Sequence, residues 1–415
     1  MASVLTLFAP ENQVISGRLT LDGSKSISNR ALIIQALCAN KFAIKGLSAA
    51  DDTQLLQQAL QQRLATINVG AAGTTMRFLT AYLATQPGAW LLTGSERMKE
   101  RPIADLVEAL RQLGATITYT QNQGFPPLFI EGKPLSGGAV SMAANVSSQF
   151  LSALLLVAPT FKQGVTLRLL TSVISAPYLN MTLQLMNSFG IAYHITDNTI
   201  FMPPQSYKPQ PLTIEADWSA ASYYYAIAAL AKEVNLYLYG LLPNSLQADS
   251  VLPQLMLPLG VNTQFLPDGG IHLTKNKVKL PDAFAYDFTN CPDIAQTLAV
   301  VCAGLQLPAN MTGLDTLHIK ETNRTAALQT ELAKVNALFT GNNHSRNLAF
   351  AAPLPNTGMP KFATYHDHRM AMAFAALSMV FTGGIQIENP QVVSKSYPQF
   401  WQHLGQIGFR CEESV

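Results

Sequence analysis

The chain has 415 residues, of which 48% are hydrophobic and 13% charged. Such a chain can bury a large core in more than one domain and is too apolar to be disordered. With 27 Lys and Arg against 25 Asp and Glu, the formal net charge is +2, which excludes a general nucleic-acid or membrane-surface binder and leaves room for a small basic pocket.

No apolar run reaches the ~18 residues of a membrane helix. No basic residue precedes Arg18, so no signal peptide is expected. Cys38, Cys291, Cys302 and Cys411 lie far apart with no CxxC pair, the pattern of reduced, buried thiols. A cytoplasmic protein is expected.

In chain order, a strand over 13–21 comes first. GSKSISNRALIIQAL from Gly23 then reads as a polar loop opening into an apolar helix. The same form returns in GAAGTTMRFLTAYLA from Gly70, NVSSQFLSALLLVAP from Asn145, ADWSAASYYYAIAAL from Ala216, NCPDIAQTLAVVCAG from Asn290 and YHDHRMAMAFAALS from Tyr365. From the second copy onward the period is about 73 residues. A second helix series runs in step, ending near Ala115, Ile191, Val261, Ala337 and Phe409. Alternating apolar residues predict strands at 115–120, 165–170, 212–216, 234–239 and 385–389. Six copies of a unit with two helices and several strands make two trios. The proline-rich 202–212 segment places one crossing near residue 216, and Asp22-Gly23 marks the other. The expected domains are 23–216, and 1–22 with 217–415, with a hinge at the crossings and a ligand cleft beside it.

Ser26, Thr74, Ser147, Ser219, Asp293 and Asp367 are the expected helix caps. Free N–H groups at such ends attract anions. Capping alone accounts for any one of them, but basic residues gather at the same ends: Lys25, Arg30, Arg77, Arg324 and Arg369. GSKSISNR is not a Walker A loop, because Ser24 separates Gly23 from Lys25. Arg101 sits in KERP, Lys320, Glu321 and Arg324 share IKETNR, and Lys395 lies in VSKSYP. HDHRMAM (366–372) concentrates ionisable groups, but adjacent residues cannot face one centre, so no metal is expected.

Together these segments resemble the 5-enolpyruvylshikimate-3-phosphate synthase family. GSKSISNRAL, AAGTTMRF, KERP, VSSQFLSALL, SAPY, EADWSAASYY, CPDIAQ, IKETNR, YHDHRMAM and KSYP stand in the family's order. The resemblance implies an α/β fold of two similar domains, each of three βαβαββ units with helices inside and sheets outside, an inside-out α/β barrel. It implies transfer of the enolpyruvyl group of phosphoenolpyruvate to the 5-hydroxyl of shikimate 3-phosphate, a step toward chorismate and the aromatic amino acids that glyphosate inhibits. No cofactor or metal is implied. The expected partners are the two small substrates, with no nucleic acid, no membrane and a monomeric chain.

By motif, Lys25, Gly73, Arg101, Gln149, Arg324, Arg369 and Lys395 are expected to hold phosphoenolpyruvate. Ser26, Arg30, Ser147, Ser148, Gln149, Ser175, Tyr178, Asp293 and Lys320 are expected to hold shikimate 3-phosphate. Two polyanions in one site demand several cations, and Arg suits both carboxylate and phosphate. The chemistry needs a group to take the hydroxyl proton, assigned to Asp293, and one to serve C3, assigned to Glu321 with Lys25 as partner. Gly73 is expected to let backbone and ligand approach closely. Ala71, Phe78 and Thr316 depart from the family's usual Asn, Pro and Asn. The rival readings are a UDP-amino-sugar enolpyruvyl transferase, disfavoured by GSKS at the first helix, and a non-catalytic anion-binding module, disfavoured by the presence of Asp293 and Glu321.

Overall fold

A computed structural model describes residues 3–62, 64–144, 147–355 and 358–414. Asn145 and Val146, which begin the third helix-opening segment, lie outside the described residues. The chain divides into two compact units, Ser24–Ile214 and Met1–Gly23 with Glu215–Val415.

The discontinuous unit contains three four-stranded sheets of one topology. Val14–Thr20 runs parallel to Glu233–Tyr239, which pairs antiparallel with Gly270–Lys275, and that strand pairs antiparallel with Val261–Phe265. Phe284–Asp287, Ala309–Thr312, Arg346–Phe350 and Ala337–Gly341 repeat the order. So do Lys361–Phe362, Ile385–Glu388, Val4–Phe8 and Arg410–Ser414. The last sheet therefore takes its third member from the start of the chain, where Leu7 faces Ile385 on one side and Cys411 on the other.

A helix leads into the second strand of each sheet: Trp218–Leu230, Ala295–Gly304 and His368–Ala375. The first two are largely apolar on every side, which suits a helix with no solvent face. All residues of the first but Ser219, all of the second but Gly304 and all of the third are buried. The three pack on one another, and the sheets turn alternate residues toward them, as in Glu233–Tyr239 where Val234, Leu236 and Leu238 are buried.

The continuous unit repeats the pattern with Thr66–Asn68, Gly88–Thr93, Leu128–Gly132 and Thr116–Tyr119, and again with Gly138–Met142, Val165–Leu169, Thr199–Met202 and His194–Thr196. Its third sheet has only Leu212–Thr213 beside Ile44–Lys45. The βαβαββ repeat is incomplete there, because the helix Asp51–Gln62 leads almost directly into Thr66–Asn68 with no hairpin sequence between. The strand expected over 212–216 is likewise short, and Ala216 forms an isolated bridge to Gly23.

Leu7 is fully buried, so the first strand is part of the core of a unit most of which, Glu215–Val415, lies more than 200 positions later. Leu7→Ala is expected to destabilise the protein by about 2–5 kcal/mol, as for any core leucine. Urea titration checks this, and a loss below about 1 kcal/mol would make the strand peripheral.

Candidate active site

In the continuous unit four helices, Lys25–Leu37, Gly73–Thr85, Ser148–Val157 and Ala176–Ser188, pack together. Their side-chain contacts set their register. Arg30, sixth in its helix, bonds Ser152 Oγ (3.2 Å), Thr182 Oγ1 (2.7 Å) and the Tyr178 carbonyl (3.2 Å), and its cation lies 5.5 Å from the ring centre of Phe78. Arg77 lies over Phe150 at 5.9 Å. Residues near the start of every helix meet one another, so the four N-termini share one end. That end carries Lys25, Ser26, Gly73, Ser148, Gln149 and Ser175, and helix N-termini attract anions.

The individual roles differ. Ser147 caps its helix by accepting from the Gln149 amide (3.3 Å). Ser175 precedes Ala176 with a left-handed φ of 57°. Lys25 Nζ lies 3.4 Å from Asp52 Oδ2. Arg30 also donates to the Ser26 carbonyl (2.8 Å) and is buried, which lowers its pKa to about 10 despite the opposing influence of Tyr178. Four hydrogen bonds to the protein thus engage its guanidinium. Arg77 ties the Gly73 carbonyl (3.1 Å) to that of Pro102 (3.1 Å), beside Arg101.

Several sequence expectations change here. Ser26, Thr74, Ser219 and Asp293 are not helix caps. The first helix begins at Lys25 after Ser24, the second at Gly73 after Ala72, and Asp217 caps the Trp218 helix through the Ala220 amide (3.1 Å). Asp293 lies within the short turn Pro292–Ile294, which leaves its carboxylate available to side chains. An added Cβ at Gly73 would meet Arg101, whose Nη1 stands 2.6 Å from that position. The missing side chain makes room for the guanidinium.

The discontinuous unit gathers the remaining candidates. Its helices also start at one end, as Ser222 meets Thr297 (3.1 Å) and Arg369 approaches Tyr223 Oη (3.4 Å). Arg324, 1% exposed, opens the helix Arg324–Ala333. Its Nε donates to Asp367 Oδ2 (2.7 Å), its Nη2 to Glu321 Oε2 (2.8 Å) and its Nη1 to Asp293 Oδ1 (3.3 Å). Asp293 also takes Arg369 Nη2 (2.9 Å) and lies 3.7 Å from Lys320 Nζ. Glu321 takes Lys395 Nζ (3.0 Å) as well. Asp367 caps the His368 helix through the Arg369 amide (2.9 Å).

These charges move one another. Burial pushes the Asp293 carboxyl up, but Arg369, Lys320 and Arg324 outweigh it and hold the group well below the usual carboxylate range. Burial lowers Lys320, which Asp293 only partly offsets. Burial would lower Arg324 too, yet Asp367, Glu321 and Asp293 raise it. Asp249, absent from the sequence reading because LQADSV carries no motif, accepts from Ser219 Oγ and is buried. Burial and the charge of Asp293 push it up to about 7, against Arg369 and the Ser219 hydrogen bond. Asp367 was visible in HDHR only as a cap, and its grip on Arg324 needed the fold.

The fold is that of the enolpyruvyl transferases. EPSP synthase from Acinetobacter baumannii superposes with a TM-score of 0.80 at 19% identity, over 100% of both chains. The enolpyruvyl transferase NikO from Streptomyces tendae gives 0.74 at 14%, over 100% of this chain and 99% of that one. Sequence relatives narrow the class. A 3-phosphoshikimate 1-carboxyvinyltransferase of Bacteroides fragilis (strain YCH46) is 47% identical over 396 residues, 95% of this chain and 96% of that protein. One from Shewanella halifaxensis (strain HAW-EB4) is 34% identical over 423 residues, 95% and 97%. The family model of EPSP synthase (3-phosphoshikimate 1-carboxyvinyltransferase) matches residues 10–66 and 61–404. The chain belongs to that family.

The elevated Asp249 has a consequence for stability. Its unfolded pKa is about 3.9. Between that value and about 7 the folded chain holds more protons than the unfolded one, so stability falls as pH rises through the window. In Asp249→Asn, whose amide oxygen still accepts from Ser219, this loss should vanish. Unfolding free energies from urea titrations at several pH values should show the variant gaining on the wild type from about pH 4 to 7. A difference independent of pH would mean that Asp249 is not elevated.

Proposed function

We propose that the chain transfers the enolpyruvyl group of phosphoenolpyruvate to the 5-hydroxyl of shikimate 3-phosphate, releasing phosphate. The observation that carries this reading is the cluster of Lys320, Arg324, Arg369 and Lys395 around Asp293 and Glu321, cations and carboxylates at the shared end of the helices. Anionic substrates would draw these cations away from the carboxylates, which would then recover the basicity that proton transfer needs.

Phosphoenolpyruvate is assigned to Lys25, Gly73, Arg101, Gln149, Arg324, Arg369 and Lys395. Shikimate 3-phosphate is assigned to Ser26, Arg30, Ser147, Ser148, Gln149, Ser175, Tyr178, Asp293 and Lys320, with Arg30 contributing charge from behind the helix ends. Asp293 takes the 5-hydroxyl proton as that oxygen bonds to C2 of the enol, and C3 gains a proton. The tetrahedral adduct then loses phosphate and a C3 proton. Glu321, between Arg324 and Lys395, is the group assigned to C3, with Lys25 as its partner. The same reading takes each domain, 23–216 and 1–22 with 217–415, as an inside-out α/β barrel, and the protein as a cytoplasmic monomer. Among the described residues no helix is long and apolar enough to cross a membrane.

A coupled phosphate-release assay with both substrates tests the activity, and replacing shikimate 3-phosphate by a UDP-amino sugar should abolish release. Asp293→Asn tests the mechanism. The amide keeps the shape and an acceptor but takes no proton. Turnover should fall on the order of 10²–10⁴-fold. Binding of shikimate 3-phosphate should stay within roughly tenfold, about 1.4 kcal/mol. Near-normal turnover would remove Asp293 from proton transfer.

A further inference from the structure

The segment that delivers Asp367 and Arg369 has an unusual backbone. Tyr365 and His366 are both left-handed, with φ of 53° and 56°, and neither is glycine. Side chains other than Gly, Asn and Asp disfavour that region, and two in succession persist only where surrounding contacts enforce them. Glu331 contacts this segment at Tyr365 and Ala363. Its Oε1 accepts the Tyr365 hydroxyl (2.8 Å), and its Oε2 accepts the Ala363 amide (2.9 Å) and Lys334 Nζ (2.6 Å). Lys334 also donates to the Lys361 carbonyl (2.8 Å). The turn closes when the Asp367 amide donates to the Thr364 carbonyl (2.9 Å).

Glu331 is an expensive residue to place there. It is 1% exposed and sits in the last turn of the helix Arg324–Ala333, where the helix dipole disfavours negative charge. A buried carboxylate at that end needs compensating contacts, and those it has are directed at one segment, 361–365, and its tether Lys334. Helix geometry supplies the connection. Glu331 follows Arg324 by seven residues, two turns or about 10 Å along one face. The same helix face therefore grips the strained segment twice, at Asp367 through Arg324 and at Tyr365 and Ala363 through Glu331. Tyr365 is 37% exposed, and partial desolvation of its hydroxyl, the hydrogen bond to Glu331 and its charge push that hydroxyl up to about 12.

We infer that Glu331 is a positioning residue: through Tyr365 and the Ala363 amide it holds the left-handed turn in the geometry that presents Asp367 to Arg324 and starts the helix of Arg369. The inference rests on the reading that Arg324 and Arg369 receive phosphoenolpyruvate.

Steady-state kinetics of Tyr365→Phe, Glu331→Gln and Glu331→Ala test it, with Arg369→Lys in the same assay and melting temperatures on the same preparations. Tyr365→Phe and Glu331→Ala should raise the KM for phosphoenolpyruvate on the order of tenfold, with the KM for shikimate 3-phosphate within about twofold. Glu331→Gln should be milder than Glu331→Ala, because its amide still accepts from Ala363 and can donate to the Tyr365 oxygen. A merely structural role would lower the folded fraction and the apparent kcat without moving either KM. If Arg369→Lys raises the KM for phosphoenolpyruvate while the Tyr365 and Glu331 variants do not, the positioning role is overturned and the assignment of Arg369 stands. If Arg369→Lys leaves that KM unchanged, the substrate assignment fails and the inference fails with it.

Discussion

A buried guanidinium organises the discontinuous unit. Arg324 is 1% exposed, and an unpaired charge at that depth would cost several kcal/mol. Asp367, Glu321 and Asp293 compensate it, and each brings another group with it: Asp367 the start of the Arg369 helix, Glu321 the Lys395 ammonium, Asp293 both Arg369 and Lys320. The carboxylates that a transfer reaction would use as bases are thereby held as counter-ions. The weak basicity of Asp293 in the free protein follows from the cations around it and should change when anions arrive.

The continuous unit solves a related problem with neutral groups. Arg30 is buried among Thr182, Ser152 and two carbonyls rather than carboxylates, and its pKa falls where that of Arg324 rises. Phe78, one of the departures from the family pattern, places its ring beneath Arg30. Ala71 is exposed and precedes the Gly73 helix without a capping contact. Nothing in the structure explains Thr316. Gly73 keeps space for Arg101, so its value is in a cation's position.

Much of this was legible in the sequence. The period of the helix openings anticipated the repeated sheets, and strands such as Val165–Leu169, Glu233–Tyr239 and Ile385–Glu388 fall where alternation placed them. IKETNR placed Lys320, Glu321 and Arg324 within five residues, and Glu321 meets Arg324 from the loop that enters the helix. Capping was legible at Ser147 and Asp367 but misread at Ser26, Thr74, Ser219 and Asp293, since a polar residue near a helix start can equally stand inside the first turn or in a preceding one. The two-stranded sheet was hidden because a helix pattern says nothing of whether a hairpin follows it. Asp249 and Glu331 gave no local signal. Their importance comes from partners 30 or more residues away, Ser219 for one, Ala363 and Tyr365 for the other.

Substrate anions should release Asp293 from its cations. Carboxyl ¹³C resonances of labelled aspartate, with the Asp293 signal identified by its loss in Asp293→Asn, measure this directly. In the free protein the group should titrate below the ordinary value of about 3.9. With shikimate 3-phosphate and a non-reacting phosphoenolpyruvate analogue bound, its midpoint should move upward. A midpoint that stays in place or falls would mean that the cations are still held by Asp293 when the reaction needs it as a base, and Asp293 would then not be that base.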